Sequence, residues 1–154
     1  MKHKTILLAG IFLLSFAAWV WAEVPQNISF AGETFVFAKD KEEGGVVTYS
    51  ASAREGGIVF WIFAPSDSAQ KDTINPVSAA HRKLQECEEN NDLYHNCKLD
   101  YCDNENIVLS QDASGLWVDL FRYTKTKLLW IKIYSKELRA PVSQYRRALC
   151  QLDI

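Results

Sequence analysis

Few side chains in residues 23–154 have the chemistry of a reaction centre. There are two histidines, His81 and His95, and four cysteines, Cys87, Cys97, Cys102 and Cys150. His95, Cys97 and Cys102 come nearest to a soft-metal cluster, but zinc needs four ligands in a tetrahedron, and an oxidising compartment would consume the thiols. Asp92, Asp100, Asp103 and Glu105 offer oxygen ligands for calcium. Counting from Asp100, however, the sixth position of a helix–loop–helix site, which requires glycine, is Glu105. A cysteine nucleophile with a histidine base needs a reduced thiol. The chain has no Gly-x-Ser-x-Gly elbow, no His-Glu-x-x-His pair and no phosphate-cradling glycine motif. No catalytic residue, metal or cofactor is therefore assigned.

The C-terminal part offers binding chemistry instead. Lys125, Lys127, Lys132, Arg139, Arg146 and Arg147 interleave with Trp130, Tyr134 and Tyr145. Nucleic-acid binders use such residues for stacking and phosphate neutralisation, but export and a net negative charge argue against that partner. Trp, Tyr and Arg also dominate the hot spots of protein interfaces. The candidate binding residues are Phe121, Tyr123, Trp130, Lys132, Tyr134, Arg146 and Arg147.

The start of the chain sets the compartment. Lys2, His3 and Lys4 precede an uncharged, mostly apolar run over residues 5–21, and Val20 and Ala22 flank the exit. These are the parts of a secretory signal peptide, expected to be cleaved after Ala22. The alternative is a retained anchor, since the run is close to the minimum that spans a bilayer. The rest of the chain has no comparable run. Cleavage removes Lys2 and Lys4 from 17 basic residues, leaving 15 against 19 acids, a net −4. Residues 86–112 carry one base and eight acids, whereas 116–154 carry eight bases and three acids. An even number of cysteines in an exported domain implies disulfides. Cys97–Cys102 nested inside Cys87–Cys150 and the sequential pairs Cys87–Cys97 and Cys102–Cys150 both remain open. The short two-lysine leader suits bacterial export to the periplasm or medium; the glycosylation acceptor pattern Asn27-Ile28-Ser29 matters only in a eukaryote.

The elements follow from periodicity. Residues 28–38 read as a strand interrupted by Gly32, 39–45 as a polar connection ending in Gly44–Gly45, and 46–51 as a strand. Residues 58–64, Ile-Val-Phe-Trp-Ile-Phe-Ala, are apolar on both faces and call for cover on both. Asn75–Pro76 starts a helix, and Val77, Ala80, Leu84 and Cys87 keep one face of it to about Glu89. Residues 90–105 read as loop and Ile107–Leu109 as a short strand near an edge. Residues 116–123 and 128–134 form a hairpin, with Leu129, Ile131 and Ile133 towards the core and Trp130, Lys132 and Tyr134 on the other face. Val142, Tyr145, Leu149 and Leu152 mark a closing helix over 141–152.

Residues 23–154 thus form one small α+β domain. It has a mostly antiparallel sheet of about five to six strands, packed against two amphipathic helices and stapled by disulfides. The expected function is that of a small exported binding or accessory protein working through contact with another exported or envelope protein. The alternatives are an exported hydrolase or small-ligand-binding enzyme with a cleft around His81 or His95, and an inhibitor of a secreted enzyme.

Overall fold

A computed structural model describes residues 24–66 and 75–154, and the expected signal peptide lies outside them. The fold is α+β. A seven-stranded antiparallel sheet runs in the order β3 (Ala38–Glu43), β4 (Val46–Ser52), β5 (Ile58–Pro65), β9 (Leu128–Tyr134), β8 (Trp117–Tyr123), β7 (Ile107–Ala113) and β6 (Tyr94–Tyr101). A separate hairpin, β1 (Asn27–Phe30) with β2 (Glu33–Val36), and two helices, α1 (Pro76–Glu89) and α2 (Val142–Cys150), pack on it.

The strands exceed the expected five to six for three local reasons. Residues 28–38 do not form one interrupted strand. Ala31 and Gly32 both take positive φ (54° and 82°), and Phe30 pairs with Glu33. That is a two-residue turn of the tight type favoured in hairpins. Residues 39–45 are mostly strand: β3 is exposed throughout, pairs with β4 and reverses through Gly44–Gly45, both at positive φ. Its Lys-Asp-Lys-Glu-Glu run resembles a loop because an edge strand protects itself from further pairing with charge. Residues 90–105 are not all loop either, because β6 forms the opposite edge, with an irregular register between His95 and Lys98 and Asn96 at φ 52°. This makes β7 an internal strand, not the short edge segment expected. It runs on through Ser110 and Gln111, which are polar but buried.

Alternation along the strands gives the sheet two faces. Ala51, Phe60, Ile62, Val108, Leu120, Leu129, Ile131 and Ile133 point to the first, where Tyr145 and Leu149 of α2 and Ile28, Phe30 and Phe35 of the β1–β2 hairpin close the main core. The ring of Phe60 is met edge-on by Phe30, Phe35 and Phe37, with centroids 6.0, 5.7 and 5.2 Å away. On the second face α1 packs Ala80 against Ile107, Leu109, Phe121 and Tyr123. Its contacts with the sheet run over β6, β7 and β8. Asn75 Oδ1 accepts from Ser78 N at 3.1 Å and Pro76 occupies the first turn, as the sequence indicates.

The cysteines pair sequentially: Cys87–Cys97 ties α1 to β6, and Cys102–Cys150 ties the end of β6 to the end of α2. The nested pairing is excluded by this geometry. The final helix stops at Cys150, short of the expected 152. At this end, Arg122 donates to the carbonyls of Leu149 (2.9 Å), in the last turn, and Leu152 (2.5 Å), just past it. Burial lowers the pKa of this guanidinium, partly offset by the charges of Asp103 and Asp153. Among the described residues no helix is long and apolar enough to cross a membrane.

Candidate functional site

The part of the second sheet face beyond α1 carries a row of partly exposed aromatic side chains. Strand register sets Phe121, Trp130 and Trp61 side by side on β8, β9 and β5. Their rings form a ladder: Trp61 stacks on Trp130 with centroids 4.5 Å apart, and Trp130 on Phe121 at 5.7 Å. Helix α1 covers the Phe121 end, where Lys83 Nζ lies 5.5 Å from the ring. At the other end the next residue in register is Ser50, whose small side chain offers Trp61 no further ring. All three tryptophans of this face, Trp61, Trp117 and Trp130, are half-buried.

A buried carboxylate fixes two of these rings. Asp119 is 3% exposed and accepts from Trp130 Nε1 at 2.8 Å and from Trp117 Nε1 at 2.9 Å. Gln111 Nε2 approaches the same carboxylate at 3.5 Å, while Gln111 Oε1 is buried without a partner. Directly across from Asp119 in the ladder stands Lys132. Its amino group lies 4.5 Å from the Trp117 ring centroid and 5.3 Å from that of Trp130, within cation–π range. Lys132 forms no ion pair with any described residue. Tyr134, opposite Trp117, is 40% exposed. The result is a rigid platform of aromatic edges around one cation.

The seven candidate binding residues divide among three environments. Trp130, Lys132 and Tyr134 share this platform, and Phe121 joins it through its stack. Tyr123 lies on the same face but is buried beneath α1, where burial, with the charge of Glu86 adding to it, pushes its hydroxyl above the ordinary tyrosine range. Arg146 and Arg147 belong to α2, on the other side of the sheet. Arg146 Nε lies 2.6 Å from Asp100 Oδ2 and its Nη1 donates to Ser110 Oγ at 3.1 Å, while Arg147 is exposed. Trp61, Trp117 and Asp119 are part of the platform and were not among the candidates. Period-two alternation along 117–123 places Trp117 and Asp119 with Phe121, a signal present in the sequence. Trp61 becomes a neighbour only through the pairing of β5 with β9.

Reactive groups lie elsewhere. All four cysteines are in disulfides. His81 Nε2 is 2.9 Å from the hydroxyl of Tyr101, an exposed contact. His95 lines a cavity on the first face together with Asp112 and Ser135, but no hydrogen bond joins the three. Among the described residues no three His, Cys, Asp or Glu side chains converge as a metal site. Compared with protein-family models, curated proteins and solved structures, the chain finds no match.

Proposed function

We propose that this is a small exported binding protein whose partner, another exported or envelope protein, docks on the aromatic platform of β5, β8 and β9. The carrying observation is the arrangement of Trp117 and Trp130 around the unpaired ammonium of Lys132, with both indoles held by buried Asp119 and Trp61 stacked on Trp130. Pre-ordered aromatic rings lose little side-chain entropy on binding, and such residues anchor interfaces. Lys132 adds a positive centre that favours an acidic group on the partner. The sheet edges suit strand addition poorly, since one is charged along its length and the other has an irregular register. Export is supported by the leader and by the two disulfides. An inhibitor of a secreted enzyme would use the same face with a different partner.

The test is retention of partners from the native extracellular or envelope fraction by the wild-type protein, Trp61→Ser and Lys132→Glu. The expected result is a salt-sensitive partner held by the wild type and lost by both variants, while their melting curves stay cooperative. Absence of such a partner, together with turnover of a small substrate, would replace this function with the hydrolase alternative.

A further inference from the structure

The cavity on the first face is independent of the aromatic platform. It lies between the start of α2 and the end of the sheet where β7 turns into β8, with a volume of about 300 Å³. Helix α2 begins only at Val142, and β6 is irregular between His95 and Lys98, and an open pocket remains here beside buried Val118. Val118, Leu138 and Val142 supply an apolar floor, and Asp112 and Ser135 a polar wall.

The wall has one defined charge. Asn96 Nδ2 donates to Asp112 Oδ2 at 2.6 Å, fixing the carboxylate, and Oδ1 receives no hydrogen bond from the described residues. No lysine or arginine lines the cavity, and His95, across the ladder from Asp112, is its only basic side chain and forms no hydrogen bond to the carboxylate. Ligand sites commonly combine an apolar lining with a few placed polar groups. A volume of about 300 Å³ lies at the small end of the range for ligand pockets, which suits a small ligand.

We infer that this cavity binds a small primary alkylammonium ion. The ammonium group donates to Asp112 Oδ1, and the alkyl body lies on Val118, Leu138 and Val142. An alcohol of the same length fills the floor without the charge-assisted bond, and a carboxylate meets repulsion at Asp112.

Titration of the isotope-labelled, disulfide-bonded protein with hexylammonium, hexanol and hexanoate at one ionic strength, followed by amide NMR, tests this directly. Hexylammonium should give saturating shifts at Asn96, Asp112, Val118 and Val142 and bind about tenfold tighter than hexanol, the margin expected of one charge-assisted hydrogen bond. Asp112→Asn should bring the two ligands to similar affinity, and Val142→Phe should weaken both. Equal binding of hexanol and hexylammonium to the wild type, absence of saturation, or shifts confined to Trp61 and Trp130 would overturn the assignment. The wild-type comparison needs no variant to fold, and neither result bears on the protein partner of the opposite face.

Discussion

Removing the two disulfides separately should reveal how the fold is held, because they close chain segments of very different length. Cys102 and Cys150 are 48 positions apart and Cys87 and Cys97 only 10. Chain-entropy scaling gives about 4 kcal/mol for the long closure and about 3 kcal/mol for the short one. Cys102→Ala/Cys150→Ala should therefore destabilise the protein by roughly 1 kcal/mol more than Cys87→Ala/Cys97→Ala. Packing works against this order. Cys87 is 1% exposed in α1, so its truncation also leaves a small void, whereas Cys102 and Cys150 are half-buried and Arg122 continues to hold the carbonyls of Leu149 and Leu152. Urea unfolding followed by tryptophan fluorescence measures both quantities involved. A less constrained unfolded chain exposes more surface, so the denaturant slope should rise in both variants, and more in the one lacking Cys102–Cys150. If loss of the short bridge proves the more damaging, with slopes unchanged, native packing controls these staples and the entropic account fails.

Asp119→Ala should cost about 2–3 kcal/mol by leaving two indole N–H donors without their acceptor, with loss of near-UV tryptophan ellipticity; an unchanged spectrum would mean that the carboxylate does not hold the rings. Arg122→Met should speed amide exchange at residues 149–152 before the rest of the sheet, and uniform acceleration would count against a local clamp. Lys127 is 2% exposed, and burial, with the nearby charge of Arg122, lowers its pKa from the usual 10.5. The folded state therefore resists its proton, and stability contributed by this site rises with pH between the folded value and 10.5. Lys127→Met should accordingly stabilise the protein near neutrality, an advantage that shrinks as pH approaches 10.5 in thermal melts; a constant advantage would assign it to packing. Trp130→Ala is expected to weaken partner binding more than it lowers the melting temperature. The two ring stacks and the bond to Asp119 make Trp61→Ser, at the ladder's open end, the gentler probe of the same contact.

What the sequence reveals of this fold depends on how local each signal is. The alternation of Leu129, Ile131 and Ile133 with Trp130, Lys132 and Tyr134 assigns both faces of β9 correctly, and Asn75–Pro76 sets the start of α1, because each involves only neighbouring residues. The edges β3 and β6 are hidden by their own protection, as charge in one and irregularity in the other suppress the strand pattern. The two-faced apolar run of β5 implies cover on both sides, yet the helix on the second face lies over β6, β7 and β8. Its outward row, Val59, Trp61 and Phe63, is half-buried instead, with Trp61 stacked on the neighbouring strand. Whether an apolar side chain meets a helix or a neighbouring ring is decided by strand order, and that order is non-local.

The same non-local pairing assembles the aromatic platform on which the proposed function rests. A sheet face needing only cover would be served by apolar residues at position 119, since a buried carboxylate carries a desolvation penalty that a hydrophobic replacement avoids. Here Asp119 is buried, stands across from Lys132 without forming an ion pair, and directs its bonds to two indoles. Those bonds orient Trp117 and Trp130, the rings against which Lys132 rests. A polar group retained at a cost to stability and used to aim partly exposed aromatic side chains is better explained by recognition than by folding. Asp119→Asn separates the two roles: keeping one acceptor, it should fold with a smaller loss than Asp119→Ala, yet lose partner affinity because one indole is no longer held. Full affinity in Asp119→Asn would return this face to a purely structural role.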